Sequence, residues 1–216
     1  MSTSTGIQWW RFSPGQILEK IAAHTFDRRH GTDTSTFAEL NTLGIASANK
    51  LHGQRYQPSP VASLRRLLRR LGIDYSAFSF IDFGSGKGRT LLVAGELPFR
   101  QVIGVEFGAE LHVQAERNIA LYGRLRAQSV TSMHLDATSF VLPPTDLVLY
   151  FFNPFSQAVF DQVAANLNAS LRAQPRHVIL IYLYLPDQDW LRQLDGFAPR
   201  APWRNYVVLD YTPHRV

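Results

Sequence analysis

From Phe78 onward, short apolar runs alternate with stretches of helical periodicity, and this alternation constrains the fold more than anything else in the chain. Runs rich in β-branched and aromatic residues read as strands over Phe78–Phe83, Val102–Phe107, Val130–Leu135, Leu147–Phe152 and Val178–Leu185. Between them Thr90–Glu96, Ala109–Tyr122 and Gln157–Arg172 read as helices, and Asp189–Leu194 as a short one. Tyr206–Tyr211 alternates in the manner of a late, antiparallel strand. Parallel strands cannot be joined by tight turns and need helical crossovers, so this succession predicts an α/β fold. The expected architecture is a doubly wound, mainly parallel sheet with helices on both faces.

The first 57 residues do not share the pattern. A helix is expected from Pro14 to about His24, with Ser13 as its cap and Pro14 in the first turn. The polar stretch Asp27–Ser35 follows, then a short helix around Phe37–Leu43. Pro58 and Pro60 introduce a helix that stops near Gly72. The chain thus divides into a helical N-terminal extension or lid, residues 1–57, and a ligand-binding domain, residues 58–216.

Composition removes several classes of chemistry. Cysteine is absent, which excludes disulfides, thiolate metal sites and a cysteine nucleophile. The seven histidines are scattered without metal-ligand spacing, so no metal is expected. The longest apolar run, Val178–Leu185, is too short to span a bilayer. No basic stretch followed by an apolar one opens the chain, so a cytoplasmic location is expected. The net charge is +5, and the densest cluster is Arg65, Arg66, Arg69 and Arg70. These alternate with Leu64, Leu67, Leu68 and Leu71 at helical spacing. They are either the solvated face of an amphipathic helix or a face for acidic ligands or nucleic acid.

In doubly wound sheets ligands bind beyond the carboxyl ends of the strands. After the first strand stands Asp82-Phe83-Gly84-Ser85-Gly86-Lys87-Gly88. A phosphate-cradling P-loop needs Gly at 81 and Ser or Thr at 88, where the chain has Ile81 and Gly88. The dinucleotide pattern needs a small residue at 89, where the chain has Arg89. An acidic residue two positions before the first glycine repels a pyrophosphate and suits a ligand carrying positive charge.

Glu106 ends the second strand. It is either a solvated carboxylate or an acceptor for both ribose hydroxyls of an adenosine. Asp136-Ala137 follows the third strand, either as a cap for the segment after it or as an acceptor for an exocyclic amine. After the fourth strand come Asn153, Pro154 and Phe155. The proline should hold Asn153 in extended geometry with carbonyls free to accept from an amine. Phe152 or Phe155 would supply an apolar or cation-attracting wall. The alternative is a plain turn with Ser156 as helix cap.

Taken in order, the glycine turn, Glu106, Asp136-Ala137 and Asn153-Pro154-Phe155 resemble the motifs of the class I S-adenosylmethionine (SAM) methyltransferases, over about residues 55 to 216. That resemblance implies a Rossmann-like sheet of seven strands, a late one antiparallel, and SAM as cofactor. The stretch Phe26-Asp27-Arg28-Arg29-His30-Gly31-Thr32-Asp33-Thr34, with Tyr56-Gln57-Pro58, is similar to the N-terminal part of a bacterial group of such enzymes of unassigned substrate. The glycine turn also resembles the loop of Dot1-type lysine methyltransferases. By resemblance, Asp82 and the glycine turn, with Phe83, Gly84, Ser85, Gly86 and Gly88, would hold the methionine part of SAM. Glu106 would hold the ribose, Asp136 and Ala137 the adenine, Tyr56 and Phe107 would also contact the cofactor, and Asn153, Pro154 and Phe155 would border the methyl acceptor.

Enzymes that methylate adenine or glutamine usually carry a second proline after the Asn or Asp. The single Pro154 therefore points away from a nucleobase, with nucleic acid the less favoured partner. A nitrogen acceptor on a protein lysine or small amine is expected, ahead of an oxygen on a small metabolite. His24, His30 and Asp33 are further candidates for a base or acceptor contact, or are surface and capping residues. Another nucleotide-using enzyme, such as a dehydrogenase, and a SAM-binding module without catalysis are the competing classes.

Overall fold

The computed structural model describes residues 21–22, 25–35, 58–200, 203 and 205–213. The short helix expected around Phe37–Leu43, and Tyr56, lie outside the described residues, as does most of the first expected helix. Residues 21–22 and 25–30 are helical. The polar stretch is therefore not all loop: its first residues, Asp27 to His30, are helical, with Phe26 buried in the core against Tyr122 and Arg28 and Arg29 exposed. One apolar anchor on an otherwise polar turn is enough to seat it. Gly31, at φ 69°, ends it.

The sheet has seven strands: β1 (Phe78–Phe83), β2 (Gln101–Glu106), β3 (Val130–His134), β4 (Asp146–Phe152), β5 (Val178–Leu183), β6 (Ala198–Pro199) and β7 (Tyr206–Tyr211). Their spatial order is β3-β2-β1-β4-β5-β7-β6. β1 to β5 are parallel, and β7 runs antiparallel to β5. The fold is thus the Rossmann-like one expected. β6 has no sequence signal, being two residues long and containing Pro199, which only an edge strand tolerates. The order reverses beside β1, between β1 and β4, so the crevice above the ends of β1 and β4 is the topological switch point.

Among the described residues from 58 onward, four α-helices flank the sheet: α1 (Val61–Arg69), α2 (Arg89–Gly95), α3 (Ala109–Leu121) and α4 (Gln157–Ala173). The period-2 alternation of each strand sorts its residues to two cores. Phe78, Phe80, Val102, Val148, Tyr150, Ile179 and Ile181 pack with α1 and α2 on one face, here called the front. Ile81, Phe83, Leu149, Phe151, Leu180 and Tyr182 pack with α4 on the back. There Phe83, Phe151 and Tyr182 stack across three neighbouring strands, with ring centroids 5.0 and 5.6 Å apart. Each such pair adds about 0.5–1.5 kcal/mol beyond its buried area.

In α1, Leu64, Leu67 and Leu68 are buried and Arg66, Arg69 and Arg70 exposed. Arg65 makes two bonds to Glu96, of 2.8 and 2.6 Å. The segment expected as a helix at Asp189–Leu194 is a 3-10 helix, Gln188–Gln193. β5 ends at Leu183, two residues short of expectation, because Tyr184 turns out of the strand with φ 53°.

Candidate functional site

The alternation that builds the front core also aims the functional residues. Asp82 continues the series Phe78, Phe80, and Glu106 continues the series from Val102, so both carboxylates reach the front face at the ends of β1 and β2. Asp82 is 3% exposed. Burial, the Thr90 hydroxyl and the nearby Glu106 charge act on it, and burial dominates, pushing its pKa from 3.8 up to about 8. Glu106 is also 3% exposed. Burial raises its pKa as well, against the backbone N–H groups that stabilise the charge. Gly86 N–H donates to Oε2 at 2.8 Å and Gly108 N–H to Oε1 at 2.8 Å. Glu106 is therefore no solvated strand-end carboxylate: it ties the glycine turn to the end of β2.

The turn itself depends on glycine. Gly84 has φ 75°, and a Cβ there would lie 2.5 Å from Pro154 Cβ. The ends of β1 and β4 touch at that point with no room for a side chain. Gly104, inside β2, leaves space for Ser85, whose Oγ would be 2.5 Å from an added Cβ. Ser85 Oγ is buried and has no hydrogen-bond partner. A small cleft opens here, lined by Asp82, Gly84, Ser85 and Thr90, with Phe152 and Pro58-Ser59 across from them. Beneath it Thr90 Oγ1 donates to Ser59 Oγ at 3.0 Å and Tyr150 OH to the same oxygen at 3.1 Å. Ser59, Thr90 and Tyr150 had no sequence motif to reveal them, because only the packing of α1 and α2 over β1 and β4 brings them together.

Arg89, where a dinucleotide turn needs a small residue, is 2% exposed and serves the N-terminal segment. Its Nε donates to Thr34 Oγ1 at 2.7 Å, and its Nη2 lies 3.4 Å from Asp27 Oδ2. Asp27 also accepts from Thr32 Oγ1 at 2.8 Å and Thr34 N at 3.0 Å. Lys87 Nζ reaches Asp33 Oδ2 at 2.9 Å. Asn118 of α3 donates to the carbonyls of Asp33 and Lys87, each at 2.9 Å, and accepts from Asp33 N. Residues 27–35 are thus clasped to the glycine turn by two ion pairs and an asparagine bridge. Asp33 is part of this clasp. His30 packs at a tilt against Phe26 and Tyr122, with ring centroids 5.1 and 4.5 Å away. His24 lies outside the described residues.

The other expected residues are placed as follows. Phe83 is buried in the back core, so only its backbone faces the turn. Phe107 offers its carbonyl 3.0 Å from His134 Nε2. Asp136 caps the 3-10 helix Ala137–Ser139, accepting from Thr138 N at 2.9 Å and Thr138 Oγ1 at 2.7 Å. Asp136 and Ala137 stand at the end of β3, two strands from β1, and do not line the cleft.

Asn153 departs from expectation. It is not extended but left-handed, with φ 45°. Asparagine tolerates that region, and the chain reverses here to enter α4. Phe155 turns to the back core, 7% exposed and edge-on to Phe151 at 6.2 Å. Phe152 is the aromatic wall of the cleft, and Pro154 packs against Gly84.

Two solved structures share this architecture. A ribosomal protein L11 methylase from Lactobacillus delbrueckii subsp. bulgaricus aligns with TM-score 0.52 at 18% identity, over 72% of this chain and 79% of that one. A protein described as a predicted N6-adenine-specific DNA methylase from Listeria monocytogenes aligns with TM-score 0.53 at 14% identity, over 82% of this chain and 56% of that one. No family model and no curated protein sequence matches the chain. At such identities the likeness establishes the fold, which is the class I methyltransferase fold.

Proposed function

We propose that the chain is a SAM-dependent methyltransferase whose acceptor is a nitrogen on a protein lysine or a small amine. One observation carries the cofactor assignment. A buried carboxylate and an unpartnered buried hydroxyl, Asp82 and Ser85 Oγ, face one cleft at the end of β1. Burial penalises the charged form of Asp82 until a cation neutralises it, and Ser85 Oγ lacks a partner. A zwitterionic amino-acid group meets both needs. Asp82, the backbone of residues 84–88 and Ser85 would hold the methionine part, and Glu106 the ribose. Asp136 and Ala137 would border the adenine. A pyrophosphate satisfies none of the carboxylates.

Bound SAM supplies a methyl group activated by its sulfonium. The protein's task is then alignment, which is worth up to about 7–11 kcal/mol for a well-oriented pair. The residues at the end of β4 would hold the acceptor nitrogen's lone pair in line with that methyl group, and the amine proton would pass to solvent. Asn153 and Pro154, at the end of β4, border the acceptor, and Phe152 takes the walling role that Phe155 cannot. Among the described residues no helix is long and apolar enough to cross a membrane, and a cytoplasmic location fits this reading.

Calorimetry with SAM, S-adenosylhomocysteine and NAD tests the proposal. The two adenosyl ligands should bind in the micromolar range, about −8 kcal/mol, and NAD should not. Glu106→Ala should weaken SAM by about 1.5–3 kcal/mol. NAD binding tighter than SAM would overturn the cofactor assignment.

A further inference from the structure

Among the described residues three non-glycine residues have left-handed backbone: Asn153 (φ 45°), Tyr184 (φ 53°) and Asn205 (φ 67°). All three lie on one rim. Asn153 directly follows β4, Tyr184 directly follows β5, Asn205 directly precedes β7, and these strands are neighbours. Asparagine enters this region at little cost, but a bulky tyrosine does so only when its surroundings impose it.

The effect on Tyr184 is specific. In an unbroken strand its side chain would alternate to the back, with Leu180 and Tyr182. The left-handed turn instead brings its ring to Phe152, with centroids 5.9 Å apart, and Phe152 lines the cleft from the front. The Tyr184 N–H donates to the Asn205 carbonyl at 3.0 Å, which pins the turn. The ring is nonetheless 53% exposed, so it contributes little to the core. A strained residue that sets a half-exposed ring against Phe152, beside the cleft, has the character of a ligand clamp.

The ligand class follows from the chemistry of the rim. The faces of the Phe152 and Tyr184 rings, whose centroids are 5.9 Å apart, carry negative quadrupole density. None of residues 150–156 and 182–189 is basic; Arg204 adjoins Asn205 in sequence, and Arg89, which lines the cleft, has its guanidinium engaged by Thr34, Asp27 and Ser35. Trp203, two residues before Asn205, already has Arg70 over its ring at 5.8 Å. We propose that Phe152 and Tyr184 form the acceptor subsite and grip an ammonium group through their ring faces, with Tyr184 setting the preference for amines. That the gripped amine is the methyl acceptor rests on the methyltransferase reading.

The probes are Nε-trimethyl-lysine amide and its neutral carbon isostere, titrated by calorimetry into the protein saturated with S-adenosylhomocysteine. The cationic probe should bind about tenfold tighter than the isostere. Tyr184→Ala and Phe152→Ala should each lose about tenfold, and Tyr184→Phe should retain binding. Tyr184→Gly separates the ring from the fold: glycine accepts the left-handed turn, so Tm should hold or rise while probe binding falls. Equal affinity for the two probes, no binding by the wild type, or undiminished binding by Tyr184→Gly would overturn the subsite. If S-adenosylhomocysteine binds but the probes are not distinguished, the subsite alone fails. If the wild type does not bind S-adenosylhomocysteine, the methyltransferase reading fails and the acceptor role falls with it.

Discussion

Replacing Asp82 with asparagine should make the unliganded protein more stable and the liganded protein weaker. Folding raises the Asp82 pKa from 3.8 to about 8. The folded state therefore holds this proton more tightly than the unfolded chain does. Stability is fullest below pH 3.8, falls as pH rises, and the loss is complete above about pH 8. At about 1.4 kcal/mol per pH unit the ceiling is about 6 kcal/mol. Relaxation and water entry reduce such penalties, so about 2–4 kcal/mol is the expected effect. The asparagine side chain would keep the shape of the aspartate without its charge. In urea melts without ligand, Asp82→Asn should be more stable than wild type at pH 8, and the difference should shrink steadily toward pH 4. The same variant should bind S-adenosylhomocysteine about 10- to 100-fold more weakly, because the ligand's ammonium loses its charged partner. A variant no more stable than wild type at pH 8, or a difference that does not change with pH, would refute the reasoning.

Gly84→Ala forces a Cβ to 2.5 Å from Pro154 at φ 75°; it should cost about 1–3 kcal/mol in melts and abolish SAM binding in titrations. Arg89→Met strands the Asp27 carboxylate, 14% exposed, without its cation. Urea unfolding should show a loss of about 3–5 kcal/mol, partly recovered when Asp27→Asn is added. Asn153→Ala should leave SAM affinity nearly unchanged while cutting turnover, and should cost about 1 kcal/mol for the left-handed backbone. Asn153→Gly should recover the stability and not the turnover, by melting and methyl-transfer assay on the same samples.

Most of the sheet was legible because its signals are local. A strand's period of two and a helix's period of 3.6 are written within a few residues of each other, so β1 to β5, β7 and the four flanking helices could be read within a residue or two at most ends. The turn after β1 could be read for the same reason: three glycines in register leave few backbone paths. The same alternation that placed Phe78 and Phe80 also placed Asp82 on their face.

What escaped the sequence depended on distant neighbours. The role of Arg89 is set by Asp27, Thr34 and Ser35, more than fifty positions away, and no local pattern marks that pairing. Ser59, Thr90 and Tyr150 meet only because α1 and α2 pack over β1 and β4. Phe155 and Phe152 were equivalent in sequence, and the turn at Asn153 sent one to the back core and the other to the cleft. The proline after Asn153 argued for extended backbone, yet the entry into α4 required a left-handed turn, as did the docking of Tyr184 on Asn205. Local preference sets which conformations are cheap. The sequence therefore determined the elements and the faces they present, while tertiary contacts, each able to outweigh about 1–2 kcal/mol of local backbone preference, decided where the chain departs from them and hence the shape of the site.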